Sequence, residues 1–478
     1  MNFTDKDKVL ITTAIDYVND VIHIGHAYQK VLEDCLTRYL RLVKDPKDVH
    51  FVTGTDEHGQ KVFKIAQDKN LNVKAYVDDI SKLDQDEQDA LNVGYDRFIR
   101  TTDEDHKKRA TEFFKKVYDN GYIYKKTYVG KYCVGCESYK TDKDLEDGEC
   151  PLHPNNKIQD MEEENYFFKL SAFRDFLKEL FDSDSSFVLP QARYNDMYAL
   201  IDGLEDIPIT RTKEKLPWGI ECPVDSDHVI WVWFDALINY LTFGEQVGAW
   251  DEDTYIIHFL GKDNARTHAL LWPAMLKAAD ENYKINVYVN AFFSLNGQKI
   301  SKSIGNIIRP TELVEKYGVD PIRYFFLRYG PLVEDSDFNV TQFETVFNAD
   351  LANGIGNLTA RLTKLCERSN FAFPVTEIDK DFYLKEWAEP LKELRFDLVL
   401  NNIWEKISDL DKHINDNEPW AIKNEQKLKE VLTHEISELR NISYMLVPFI
   451  PDTAKKMQNQ ILNENIKSGG HLFSRLEK

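Results

Sequence analysis

The chain has 478 residues, 42% of them hydrophobic and 12% aromatic, which is too long for one hydrophobic core and predicts two to four domains. With 60 Lys+Arg against 81 Asp+Glu the formal net charge is -21, which excludes a body that holds nucleic acid by general basicity; a nucleic-acid site would have to be a local basic surface. No apolar run of about 18 residues is present to span a membrane, and the charged start MNFTDKDKVL has no signal-peptide core, so a soluble cytoplasmic protein with no membrane partner is expected.

Residues 8–15, KVLITTAI, are short, apolar and β-branched and predict a buried strand. After a polar break, Tyr28, Val31, Leu32, Cys35, Leu36, Tyr39, Leu40 and Val43 recur at helical spacing, and VHFVTGT at 49–55 predicts a second strand. Strand, helix, strand in this order opens a parallel α/β sheet. The alternation stops near residue 115. It resumes with HVIWVWFDAL (228–237), YIIHFLG (255–261) and INVYVNAFF (285–293), read as three further strands. From about 345 onward helical periodicity dominates, as in LVLNNIWEKISDLDKHI and HEISELRNISYMLVPFI. The expected architecture is a Rossmann-type parallel sheet from residues 1–115 and 226–298, interrupted by an insertion at 116–225. A loop and connecting region at 299–345 leads to an α-helical bundle at 346–478. Residues 345–478 carry 18 Lys+Arg against 21 Asp+Glu, so nearly all the negative charge lies in the first 344 residues.

Four constellations carry chemistry. His23-Ile24-Gly25-His26 falls between the first strand and the first helix, where backbone N–H groups and the helix dipole of a parallel fold meet phosphates. Two imidazoles at i and i+3 can donate to phosphate oxygens, and Gly25 lets a flat ligand approach the backbone; taken alone, two surface histidines at a helix start explain the motif equally well. Lys299-Ile300-Ser301-Lys302-Ser303, after Asn296-Gly297, puts two ammonium groups on one loop, able to clamp a polyphosphate. Alone it reads as a solvated charged loop; paired with the first motif it does not. Cys133-x2-Cys136 followed by Cys150-x2-His153 has zinc-ligand spacing, and four ligands would close a tetrahedron around one structural Zn2+. Six cysteines, three of them in this cluster, fit a metal site better than a secreted disulfide scaffold. Finally, Trp233, Asp235, Tyr240, Asp263 and His268, with Tyr17 and Asp56 from the first half, could line an apolar pocket with polar tips, Asp56 suiting an ammonium group and Asp263 a ribose hydroxyl. Spacing alone would not select them.

The two phosphate motifs, in this order on two halves of one interrupted fold, resemble the signatures of class I aminoacyl-tRNA synthetases. The stretches TTAIDYVNDVIHIGHAY (12–28), FVTGTDEHGQK (51–61), GIECPVDSDHVIWVWFDALINY (219–240) and FLGKDNARTHALLWPAML (259–276) narrow the resemblance to the methionyl-tRNA synthetase family in its single-zinc-knuckle form, over nearly the whole chain. The resemblance implies ATP- and methionine-dependent charging of tRNA(Met), with Mg2+ accompanying ATP. It implies that His23, Gly25, His26, Asp263, Lys299, Ser301 and Lys302 bind ATP, His23, His26, Lys299 and Lys302 acting in catalysis. It puts Ala14, Ile15, Tyr17, Asp56, Trp233, Leu237, Tyr240 and His268 around methionine, and Asn357, Arg361 and Trp420 at the CAU anticodon, where an indole can stack on a splayed base. A monomer is expected, since the chain ends just after the helical region. Asp16, Thr267, Asn290-Ala291 and Ile300 depart from the family's usual residues, the first two near the methionine pocket. Leucine, isoleucine and valine enzymes share both signatures but are usually much longer.

Overall fold

The structure, a computed structural model, describes residues 6–135, 138–140, 142–151, 157–300, 305–376, 378 and 380–477. At its centre is a parallel sheet of six strands: β1 (Lys8–Thr13), β2 (Val49–Asp56), β3 (Arg97–Arg100), β4 (Val188–Leu189), β5 (Thr254–Gly261) and β6 (Ile285–Asn290). Their order across the sheet is β3-β2-β1-β5-β6-β4, and Asp16–Tyr17 extends the β1 side beyond a break, pairing with Thr55 and Asp56. The order turns outward in both directions from the β1/β5 pair. The crevice beyond the carboxyl ends of those two strands is therefore the switch point at which open α/β sheets bind ligands.

Both faces of the sheet are covered, which is why its strands are continuously apolar rather than alternating. Successive side chains still go to opposite faces. Val9, Ile11, Ile257 and Phe259 join one core, Leu10, Ile256 and Leu260 the other. The first core contains helix α1 (Ile24–Val43) and runs on into the helices Asn357–Ser369, Lys380–Lys392, Phe396–Asn417, Glu425–Met445 and Pro451–Ile461. The second holds the helix Glu104–Asp119, the apolar part of the insertion and the segments around Phe234 and Trp272. Val188–Leu189, inside the 116–225 stretch, returns to the main sheet as its outermost strand beside β6. The rest of that stretch carries a separate antiparallel sheet centred on Ile123–Cys133 and Gln159–Phe168.

One strand expectation is corrected. In HVIWVWFDAL only His228–Ile230 is extended, and it pairs with Thr210–Thr212 in a two-stranded sheet of its own. Val232–Ala236 and Ile238–Gln246 are helices. A short apolar run buried on all sides has no period to report, so strand and helix are indistinguishable in it. YIIHFLG and INVYVNAFF do form strands, β5 and β6.

The helical region is locked to the sheet by a buried charge. Arg323 is fully buried and pairs with Asp34 of α1 at 2.5 Å. Its remaining donors reach the carbonyls of Phe449 at 3.0 Å, Pro448 at 3.2 Å and Leu91 at 3.2 Å. Removing one partner of such a cluster leaves desolvated acceptors behind. We expect Arg323→Met to lower unfolding free energy by on the order of 3 kcal/mol, read as a shift of the denaturant midpoint; an unshifted midpoint would show that the cluster is not a structural joint.

Candidate active site

Helix α1 begins with a reciprocal cap made by two histidines. The Gly25 N–H donates to His23 Nδ1 at 3.1 Å, and the His23 N–H donates to His26 Nδ1 at 3.3 Å. Both Nδ1 atoms accept, so each neutral ring carries its proton on Nε2, and the two rings lie 4.1 Å apart. The cap that starts the helix thus also fixes the tautomer in which both imidazoles present an N–H. Gly25 is needed for close approach: a Cβ there would sit 3.0 Å from His23 Cε1.

The lysine loop arrives beside this cap. Phe293–Leu295 and Gln298–Lys299 form a hairpin closed by Asn296 and Gly297, with φ of 52° and 77°. Asp337 holds the turn through the Gly297 N–H at 2.7 Å. Phe293 packs edge-on against Tyr28 of α1, centroids 5.2 Å apart, and Ile300 is buried in the same core. Just beyond the loop, the Ile308 carbonyl accepts the Ile24 N–H at 3.1 Å. The hairpin ending at Lys299 and the imidazole pair therefore lie against one helix end. Ser301 and Lys302 fall outside the described residues. Asp263 follows β5 on a short turn. The protein packed around it takes its carboxyl above the ordinary range, with the Lys299 and Lys262 ammonium groups pulling the other way, so Lys299 and Asp263 are within electrostatic reach of each other.

Across the crevice, the residues expected to surround an amino acid come together from four elements. Ala14 leaves β1 with its N–H on the Phe259 carbonyl at 2.9 Å, and Ile15 and Tyr17 pack partly buried against the second core. Asp56, 7% exposed, ends β2. Its neighbour Glu57 is gripped by Thr55, Ser81, Arg100 and Thr102, which pins the end of the strand. Leu237 and Tyr240 are buried, and Trp233 packs against the same core. The Tyr240 hydroxyl donates to His268 Nε2 at 2.7 Å, and His268 Nδ1 donates to the Asn264 carbonyl at 3.0 Å. Burial holds the His268 imidazole down to about 4, so it is neutral at physiological pH.

Three histidines here, His258, His58 and His106, carried no signal in the sequence. His258 lies 4.4 Å below the Tyr240 ring, accepts the Trp272 indole N–H at 3.2 Å and donates to Thr12 Oγ1 at 2.6 Å. Burial, with His268 adding to it, keeps its pKa well below the usual value. Asp235, fully buried, takes His58 Nδ1 at 2.6 Å and His106 Nε2 at 2.7 Å, tying β2's end to two helices. Asp235 is a sequence candidate, but its partners are 177 and 129 positions away in sequence, beyond any local pattern.

Two expected sites lie apart from the crevice. Cys133 ends its strand fully buried, and Cys150, 1% exposed, follows a tight turn in which Glu146 and Glu149 exchange backbone bonds across Asp147 and Gly148. Two buried thiols, each next to a hairpin turn, fit a zinc knuckle. Cys136 and His153 lie outside the described residues. In the helical region the Arg361 guanidinium stacks 5.1 Å from the Trp420 ring centroid while bonding Asp411 and Asn415. Trp420 is 55% exposed, and Asn357 is exposed one turn before Arg361.

A split parallel sheet with paired imidazoles at its first helix and a lysine hairpin docked beside them is the arrangement of a class I aminoacyl-tRNA synthetase. Residues 9–161 and 153–363 match the family described as tRNA synthetases class I (M). The methionine-tRNA ligase of Clostridium acetobutylicum is 38% identical, over 96% of this chain and 74% of that one; that of Thermotoga maritima is 36% identical, over 97% and 77%. The structure of Mycobacterium tuberculosis methionyl-tRNA synthetase in complex with methionyl-adenylate superposes with a TM-score of 0.87 at 32% identity, covering 95% of this chain and 94% of that one. The chain belongs to the methionine-tRNA ligase family.

The neutral His268 has a consequence for acid stability. A histidine in the unfolded chain takes a proton near pH 6.5, whereas the folded one resists it to about pH 4. Between these values the folded state binds fewer protons, so stability falls as pH drops through the window, by roughly 3 kcal/mol for this group. Denaturant midpoints measured from pH 7.5 to 4.5 should fall, and His268→Gln should flatten part of that slope; an unaltered slope would show that His268 titrates normally.

Proposed function

We infer that the chain activates L-methionine with ATP and transfers it to tRNA(Met) for initiation and elongation. Membership of the methionine-tRNA ligase family supports the reaction. The observation that carries its assignment to residues is the docking of the Lys299 hairpin and the His23/His26 cap on the same helix end. In the reading we favour, His23 and His26 donate Nε2–H to the triphosphate, and Lys299, Ser301 and Lys302 close over it. Asp263 accepts a ribose hydroxyl, and Mg2+ enters with ATP as part of the substrate. Asp56 accepts the methionine ammonium, and Ala14, Ile15, Tyr17, Trp233, Leu237, Tyr240 and His268 enclose the thioether.

The chemistry asked of these groups is positioning and charge stabilisation. A methionine carboxylate oxygen attacks the α-phosphorus while the bond to the bridging oxygen of pyrophosphate breaks, and charge growing on that leaving group is met by the lysines. A ribose hydroxyl of the terminal tRNA adenosine then attacks the acyl carbon, releasing AMP. Residues 346–478 would supply the anticodon contact, Trp420 stacking on a base with Arg361 behind it and Asn357 alongside. Cys133, Cys136, Cys150 and His153 would hold a structural Zn2+ that ties together the tip of the insertion.

Pyrophosphate exchange measured with each amino acid in turn should respond to methionine alone; dependence on leucine, isoleucine or valine instead would overturn the substrate. Lys302→Ala should slow methionine-dependent exchange by orders of magnitude, about 2–4 kcal/mol of barrier, while leaving methionine binding intact. Trp420→Ala should weaken tRNA charging and spare exchange; equal loss of both would separate Trp420 from the anticodon.

A further inference from the structure

One turn past the histidine cap, α1 carries a buried ion pair. Lys30 is 1% exposed and Asp16 6%, and Lys30 Nζ lies 3.1 Å from Asp16 Oδ2. The same ammonium donates to Thr13 Oγ1 at 2.7 Å and to the Ala14 carbonyl at 2.9 Å. An ammonium has three donors, and all three acceptors lie in the short segment where β1 ends and the amino-acid pocket begins. Gln29 works beside it, its amide donating to Thr13 Oγ1 at 2.6 Å and to Phe259 O at 2.9 Å. Two consecutive side chains of α1 thus hold the backbone that leads into Ile15 and Tyr17.

A buried pair of charges is a poor source of stability, because apolar residues of the same volume avoid the cost of desolvating both ions. What the pair provides is a fixed geometry. We propose that Lys30 is a positioning residue for the substrate amino acid, setting the wall Ala14–Tyr17 against Asp56 and Tyr240 by tethering Thr13, Ala14 and Asp16. The assignment rests on the reading of Ala14, Ile15 and Tyr17 as that wall. His23, His26 and Lys30 stand at i, i+3 and i+7, so one face of one rigid helix carries both the phosphate motif and the tether. The distance between the α-phosphate and the attacking carboxylate is therefore governed by a single element, and in-line attack is sensitive to displacements of about an ångström. The tether is also within electrostatic reach of the pocket: burial raises the Tyr240 phenol, and the Glu33, Asp56 and Asp16 carboxyls add to the rise.

The test is pyrophosphate exchange by the full chain, with methionine and ATP varied separately. Lys30→Met keeps an unbranched side chain one atom shorter and removes all three bonds. The Michaelis constant for methionine should rise on the order of 10-fold or more while that for ATP stays within about 2-fold. Asp16→Asn combined with Lys30→Met removes both charges of the pair, leaving beside them only Glu33, whose carboxyl the Lys30 ammonium also reaches and which burial drives toward its protonated form. The combination should recover most of the melting temperature of the wild type but keep the raised methionine constant, since Ala14 has lost its tether and Thr13 keeps only the Gln29 bond. A double variant with wild-type methionine binding would overturn the proposal, leaving charge balance as the role of the pair, as would parallel loss of methionine and ATP binding. Tyr17→Ala separates the underlying reading: if it leaves the methionine constant unchanged while Lys30→Met raises it, the wall has been assigned to the wrong residues, not the tether to the wrong lysine.

Discussion

A helix wrapped on all sides has to satisfy every polar group it carries from within the protein, and α1 is such a helix. Its interior faces hold Gln29, Lys30, Glu33, Asp34 and Thr37, all buried. Thr37 bonds the Glu33 carbonyl within the helix and the Glu33 carboxyl lies buried without a hydrogen bond among the described residues, whereas the other three reach fixed pieces of other elements. Lys30 and Gln29 take the end of β1. Asp34 takes the Gly94 N–H, Arg38 and Arg323, and Arg323 in turn takes the carbonyls of Pro448 and Phe449. Because unpairing Lys30, Asp34 or Arg323 is costly, these bonds fix one position and one rotation of the helix relative to the sheet and the C-terminal helices. The histidine cap at its first residue inherits that precision. A phosphate motif on a helix free to slide would have the right residues and the wrong distances.

The same constraint separates what could be read in the sequence from what could not. His23, Gly25 and His26 were legible because a cap is local: donor, acceptor and glycine lie within four positions. β1, β2, β5 and β6 were legible because a strand covered on both faces must be apolar throughout, and turn residues bound it. The Asn296-Gly297 turn was legible, because few other residues accept the backbone angles of 52° and 77° found there, but the hairpin it closes was not. HVIWVWFDAL was misread for the complementary reason: complete burial erases periodicity, and only the surrounding segments decide that Val232–Ala236 coils rather than extends.

Of the interior of the proposed pocket, Tyr240 and His268 were legible only through family resemblance, and His258 and Trp272 were not legible at all. Tyr240, His258, His268 and Trp272 form a chain of aromatic donors and acceptors contributed by two helical segments and β5. No spacing rule links them, and their protonation is set by burial, which a sequence does not state. Lys30 shows the limit most plainly. On a helical wheel it is one more lysine on an amphipathic helix, and the default reading is a solvated surface charge. It is buried because Asp16, fourteen positions earlier, follows a strand whose end happens to lie over that face. The residue that departs from the family's usual choice, Asp16, and the lysine that no motif singled out account for each other once they are in space.

Charge distribution explains why such local precision is needed. The first 344 residues carry almost all of the excess negative charge, so the long-range field of this body opposes a triphosphate and a tRNA alike. At separations beyond a Debye length, about 8 Å at physiological ionic strength, salt removes most of that opposition. Inside it, on the proposed reading, binding falls to groups that act at contact: oriented imidazole N–H donors, a helix terminus, the Lys299 ammonium at the end of a hairpin, and an exposed indole whose stacking does not depend on net charge. Contact interactions discriminate by geometry, whereas a basic surface would hold any polyanion. An acidic synthetase that relies on them gives up general affinity for nucleic acid and keeps affinity for ligands that fit, and the cost is that every fitted group must be held from behind, as α1 holds its cap and its tether.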